Sequence, residues 1–376
     1  MQDLSSFFSD KHFIESQGNI YGPSQLGAYI SCLTHDDFHV EDADIVIVGC
    51  GEQRGKGRKL GYSNAPDAIR AELYQLHFWH SNVKIVDMGN VLEGATVNDT
   101  KAALRTVLHE LQQEGKTVVV LGGSHDLTLE QYEAFKKSQK MINATVSDML
   151  IDLEETEGVT DRSFLMDMLT EQPNFVKHYN HIAFQSYYVE PKILETLDKL
   201  RFDFYRLGVV KDNVEHMEPV LRSSDIFSFD INTVKYCDAP TNDNASPNGL
   251  AGDESCQLAR YAGMSDKLTS FGIYGYAPEK DIHKMTAKLI SQMLWYFIDG
   301  YHVRQTEAPF VDKDEYLSFY LSFSEIDAEF LKSKRTNRWW MKLPSGDYVP
   351  CTYEDYQTAS NGNIPERWFR EQERLV

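Results

Sequence analysis

Three things are scarce in this chain of 376 residues: paired cysteines, long apolar runs and positive charge. The five cysteines, Cys32, Cys50, Cys237, Cys256 and Cys351, are scattered, odd in number and never spaced as CxxC. That excludes a zinc-ribbon or thiol-redox motif and suits a reducing compartment. No apolar stretch approaches the ~20 residues needed to cross a bilayer. The opening MQDLSSFFSDKHFIES lacks the basic start and apolar run of a secretory signal. These features lead us to expect a cytoplasmic protein. Lysine and arginine number 37 against 57 acidic residues, a formal net charge of −20. Such a balance argues against nucleic acid or an anionic membrane as partner. A small anionic substrate stays open, because a few local arginines suffice to hold one.

What is present is a folded protein's composition, 42% hydrophobic and 12% aromatic, in a chain long enough for one large domain or two smaller ones. ADIVIVGC (43–50), VKIVDMGN (83–90), TVVVLGG (117–123), NATVSD (143–148), HIAFQSYY (181–188), DFYRLGV (203–209), DIFSFDIN (225–232) and LTSFGIYGY (268–276) read as strands. Most are apolar on both faces, as in a parallel sheet covered on two sides. Between them lie amphipathic stretches such as PDAIRAELYQLHFW (66–79) and TKAALRTVLHELQQEGK (100–116), the second stopping at Gly115. The alternation predicts an α/β protein with a largely parallel sheet. A further helix is predicted over 284–300. Beyond it EYLSFYLSFSEID suggests β structure, and Trp339, Trp340, Tyr348, Tyr353, Tyr356, Trp368 and Phe369 are too many aromatics for a disordered tail. The expected organisation is an N-terminal segment (1–42), an α/β domain (43–300) and an aromatic extension packed on it (301–376).

Ligands of doubly wound sheets collect beyond the carboxyl ends of the strands. There LGGSHD delivers His125, TVSDMLID delivers Asp148 and Asp152, and FSFDIN delivers Asp230 and Asn232. Carboxylates with one imidazole suit a divalent ion such as Mn²⁺ better than a thiolate-seeking one. With no cation, converging carboxylates repel and at least one pKa should rise. Each residue also has a plainer reading. Taken alone, a histidine after two glycines such as His125 is usually a loop or capping residue, Asp126 reads as the N-cap of the next helix, and Asp148 and Asp152 read equally as solvated loop carboxylates. Their joint occurrence, in this order, favours the metal.

Over residues 43–300 these motifs resemble the ureohydrolases, the arginases, agmatinases and formimidoylglutamases, and most of all divergent formimidoylglutamase-like members. SNAPDAIRAEL is similar to the family's Gly-Pro-x-x-Ile-Arg helix start, and IVDMGNV to its Asp-x-Gly-Asp strand end. LGGSHDLTL resembles Gly-Gly-Asp-His-Ser with Ser124 and Asp126 exchanged. SFDIN resembles Ser-Phe-Asp-x-Asp, and NGLAGDESCQLARYAG the Gly-Gly-Leu-x-x-x-Glu segment. The resemblance implies an arginase-like three-layer α/β/α fold, two Mn²⁺ ions activating a bridging water, and trimers or hexamers.

The middle metal motif, Asp-Ala-His-x-Asp, departs from the family. Set on DMLID it keeps Asp148 and Asp152 but puts Leu150 at the histidine; set on IDLEET it keeps Asp152 and offers Glu154 and Thr156. The first register retains more. By the resemblance, His125, Asp148, Asp152 and Asp230 then complete one metal position. The second would share Asp148 and Asp230 but has Leu150 and the uncharged Asn232, so one ion is kept and one lost. The family's proton-shuttling histidine has no counterpart in LEETEGVTDRSFLMDML, and Gly275 stands where the family has a substrate-gripping glutamate. His178 and His181 are the nearest histidines in sequence and read as structural.

Two readings follow. In one, the protein is a metal-dependent hydrolase of a linear amidine or guanidine C–N bond, with formimidoylglutamate as the family-based substrate. An anionic substrate would then be bound by basic residues near NDNASPNG (242–249) or in the extension, where Arg335 and Arg338 are candidates beside their plainer reading as a solvated basic turn. In the other reading, the fold persists without turnover and works as a binding module, its aromatics forming an interface.

Overall fold

The computed structural model describes residues 4–9, 21–33, 40–56, 61–241, 244–323 and 326–374. Most of MQDLSSFFSDKHFIES and, in the NDNASPNG loop, Asn242 and Asp243 lie outside the described residues. Among the described residues nine parallel strands form the main sheet: β1 (Ser31–Cys32), β2 (Ile45–Cys50), β3 (Ile85–Asn90), β4 (Thr117–Gly122), β5 (Ile142–Ser147), β6 (Val176–Phe184), β7 (Asp203–Arg206), β8 (Ile226–Asp230) and β9 (Ser270–Tyr274). Their spatial order is β1-β3-β2-β4-β9-β8-β5-β6-β7.

Every residue of β2, β4, β8 and β9 is buried, which is why these segments read as unbroken apolar runs. The period of two decides the layers. In β4, Val119 and Leu121 pack with Ile69, Leu258 and Phe297 on one face, while Val118 and Val120 pack with Leu104, Leu108 and Leu127 on the other. Helices thus cover both sides, giving the expected three layers. Each fully buried aliphatic side chain contributes about 1.5–3 kcal/mol.

Several boundaries differ from expectation. The strand predicted at 181–188 runs instead from Val176 to Phe184. Its polar early residues are buried with partners, His178 donating to Asn180 Oδ1 (3.1 Å) and Asn180 Nδ2 to Thr145 Oγ1 (3.3 Å), so periodicity alone missed them. DFYRLGV leaves the sheet at Leu207 for a short helix, Leu207–Asp212. The helix expected over 66–79 is Ala65–Leu73. The 284–300 prediction corresponds to Met285–His302.

After it comes an antiparallel sheet of β10 (Tyr316–Phe323), β11 (Ile326–Ser333), β12 (Trp339–Lys342) and β13 (Tyr348–Cys351), followed by helices Tyr353–Ser360 and Glu366–Arg374. EYLSFYLSFSEID therefore spans a hairpin. Trp339 and Trp368 turn inward with Phe330, Met341 and Cys351, and Trp339 stacks on Tyr356 at 4.7 Å. Arg222 holds this sheet to the parallel one. Buried, it donates to the carbonyls of Trp339 and Cys351 (3.3 Å each), pairs with Glu218 (3.0 Å) and lies 4.5 Å from the Trp340 ring centre.

Candidate metal centre

The sheet order creates the site. β4 and β5, consecutive except for one helix, are separated in space by β9 and β8, so the chain reverses direction across the sheet and opens a crevice at the strand ends. His125 leaves β4 through Gly122 and Gly123. A Cβ on Gly123 would fall 2.1 Å from the Glu52 carbonyl oxygen, so only glycine lets the two loops touch. Ser124 N closes that contact by donating to the same oxygen (2.9 Å).

His125 Nε2 donates to Ser228 Oγ (3.1 Å), which itself meets Thr128 Oγ1 (2.6 Å). This leaves Nδ1 facing Asp148 Oδ2 and Asp152 Oδ2 (3.1 Å each) and Asp230 Oδ2 (3.5 Å). All four residues are buried. One ligand atom from each of His125, Asp148 and Asp230 lies within 4.8 Å of the others. His125 Nδ1 and Asp152 Oδ2 have no hydrogen bond of acceptable geometry, although close, and neither does the buried Asn232 Oδ1. Orphaned atoms of this kind, on one imidazole, one carboxylate and one amide, with the carboxylates of Asp148 and Asp230 turned to the same imidazole, fit a divalent cation. The hydrogen bond on the far nitrogen is the outer support that metal-binding histidines need.

The electrostatics agree. Burial, followed by the charge of Asp148, pushes Asp230 up to about 7 and Asp152 well above the usual carboxylate range. Burial alone would lower His125, but the adjoining Asp148 and Asp152, with Asp230, raise it well above its ordinary value. The expected repulsion is therefore present.

The other predicted residues fall as follows. Asn232 lines a cavity of about 280 Å³ beside Asp230 and Gly275, and its backbone N–H donates to Asp230 Oδ1 (2.7 Å). Both carboxylates of the DMLID register reach His125. Glu154 and Thr156 of the alternative register line the cavity, Glu154 being paired with Arg162 (3.1 Å). Asp126 is no helix cap: buried, it pairs with Lys101 Nζ (2.5 Å) and accepts from Ser124 Oγ. His181, pushed down to about 4 by burial, stays neutral; it donates from Nε2 to the Asp148 carbonyl (3.0 Å) and accepts at Nδ1 from Tyr179 (2.7 Å). It braces the end of β5. His178 sits 3.3 Å from Asp203 on the sheet's far side. Arg338 is not in a solvated turn but pairs with Glu218 (3.1 Å) and donates to the Met264 carbonyl (3.0 Å), while Arg335 pairs with Glu315 (2.7 Å). Neither lines the cavity. Among the described residues the cations that do are Lys56 and Arg162, which sequence reasoning missed because they lie on loops without periodicity.

The fold and site together define a three-layer α/β protein that gathers a buried histidine and aspartates at the ends of its parallel strands. A model of the arginase family matches residues 43–299, and the chain belongs to that family. It is 23% identical over 261 residues to a formimidoylglutamase of Staphylococcus haemolyticus, covering 66% of this chain and 82% of that protein. A formimidoylglutamase of Macrococcus caseolyticus is 24% identical over 278 residues (69% and 85% covered). Among solved structures, Trypanosoma cruzi formiminoglutamase with Mn²⁺ superposes with a TM-score of 0.67 at 19% identity, covering 75% of this chain and 99% of that one. Bacillus subtilis formimidoylglutamase gives 0.67 at 15% identity, covering 78% and 99%. Among the described residues no helix is long and apolar enough to cross a membrane.

Proposed function

We propose that the protein is a manganese-dependent hydrolase of a linear C–N bond in an amidine or guanidine, with formimidoylglutamate as its leading substrate, and that His125, Asp148, Asp152 and Asp230 hold one ion. The observation that carries this reading is the convergence of those four buried side chains on His125 Nδ1, which with Asp152 Oδ2 is left unpartnered. A full ligand set of this kind has no role in an inert scaffold, where three buried carboxylates only cost stability. A bound divalent ion would supply Lewis acidity and bring water towards ionisation at neutral pH.

The residues present account for the rest. Ser228 fixes the His125 ring. Asp230 and Asn232 stand where the centre meets the cavity. Three carboxylates exceed the charge of one divalent ion by one, so the loaded centre still attracts a cationic amidine. Leu150 supplies no ligand and Asn232 only a neutral oxygen, which favours one ion over two.

The test is elemental analysis of the purified protein after manganese loading, with Asp230→Ala alongside, joined to release of free amine from formimidoylglutamate. About one Mn²⁺ per chain, lost in the variant, together with turnover is the expected result. Two ions would overturn the single-ion assignment, and none under any loading would overturn the hydrolase.

A further inference from the structure

We infer that Lys56 and Asp161 are the specificity-determining residues of the cavity above the metal centre, Asp161 taking the cationic group and Lys56 the acidic end of a carboxylate-bearing amidine or guanidine. This deepens the function proposed above and rests on its choice of site, although it assigns binding rather than chemistry.

Among the described residues, four charged side chains from the surrounding loops line the cavity: Lys56, Glu154, Asp161 and Arg162. Two of them satisfy each other. Arg162 pairs with Glu154 (3.1 Å) and donates to Asn244 Oδ1 (3.3 Å), forming part of the rim. Lys56 and Asp161 are different. Neither side chain makes an ion pair or hydrogen bond with any described residue, although Asp161 is more than half buried, and burial, followed by the charge of Asp126, raises its pKa. A carboxylate and an ammonium that share a cavity without meeting leave room for a ligand that meets both. Their spacing is held by the backbone: Asp161 N–H donates to the Gly55 carbonyl (3.3 Å), tying the loop after β5 to the residue beside Lys56.

The opposite wall narrows the choice further. Gly275 has φ +82°, and a Cβ there would sit 2.5 Å from Asp230 Oδ1. No side chain at the end of β9 can offer a counter-charge, so that face is bare backbone. Asp230 is committed to the metal centre. Among the described residues of the lining, the carboxylate left free for a cationic guest is Asp161, and the cation left free for an anionic one is Lys56.

The test is calorimetric binding to the manganese-loaded full chain of guanidinobutyrate and agmatine, which share a guanidine and differ chiefly in ending on a carboxylate or an ammonium. One charge-assisted hydrogen bond corresponds to tenfold or more in affinity. Wild type should favour guanidinobutyrate by about that factor, and Lys56→Gln should abolish the preference. Asp161→Asn should weaken guanidinobutyrate about tenfold, with Asp161→Glu recovering part of the loss, while manganese content stays at the wild-type value. Equal binding of both ligands, binding of neither, or indifference to the substitutions would overturn the inference. Hydrolysis of formimidoylglutamate with a KM unmoved by either substitution would remove this assignment and leave the hydrolase standing. Guanidinobutyrate binding with the stated dependence, in protein that hydrolyses no amidine, would do the reverse.

Discussion

At the scale of the residue, the centre is a set of groups that are mutually unfavourable until a cation joins them. Asp230 titrates at about 7, against an ordinary 3.8. Between those values the folded protein retains a proton that the unfolded chain has released. The stability this contributes is therefore fully present below about pH 4 and lost as pH rises through about 7. Metal binding requires the same carboxylate deprotonated. Metal-free protein should thus lose thermal stability from pH 5 to pH 8, and manganese should raise the melting temperature more at pH 8 than at pH 6. Scanning calorimetry of both forms at the three pH values checks this, and a pH-independent metal-free melting temperature would contradict it. His125, Asp148, Asp152 and Asp230 were legible in the sequence because strand ends are legible. Lys56 and Asp161 were not, since loop residues acquire meaning only from what faces them.

At the scale of the element, two motifs noted separately in the sequence turn out to be partners. Arg70, from PDAIR, is fully buried; its Nε and Nη2 donate to Asp87 in β3 at 2.7 and 2.9 Å, and Nη1 reaches Asp67 (3.0 Å) and Asn90 Oδ1 (2.5 Å). Tyr74 donates to the same aspartate. Helix Ala65–Leu73 is thereby bolted to the sheet, and the motif is structural rather than catalytic. Removing one partner of a buried pair strands the other. Arg70→Met should cost about 3–5 kcal/mol, read from urea unfolding, with a loss below about 1 kcal/mol contradicting this role. The pairing could not be read in advance because a helix and a strand some 17 residues apart give no sign in their periodicities of which polar groups will meet.

At the scale of the whole molecule, the second sheet carries its own aromatic core and covers buried cations of the first. Asp203 at the edge strand β7, held at about 2 although burial opposes it, because His178 and Arg374 lie beside it, ties the last helix to the parallel sheet. We propose that residues 301–376 act as a stabilising cover. A chain ending at residue 300 should melt several degrees lower or fail to stay soluble, since Arg222 would lose the Trp339 and Cys351 carbonyls and the Trp340 ring. Thermal unfolding of the truncated chain, if unchanged, would refute the cover.

The α/β class, strands β2 to β9 to within a few residues and the aspartates at their ends were determined by the sequence itself, because burial on two faces and the period of two leave their mark on each of these strands; the two-residue β1 is too short to carry such a mark. Strand order, the convergence of β4, β5 and β8 on one crevice, and the placing of Lys56 and Asp161 around one cavity were decided only by the tertiary structure. These are relations between residues distant in the chain, and local physical chemistry carries no record of them.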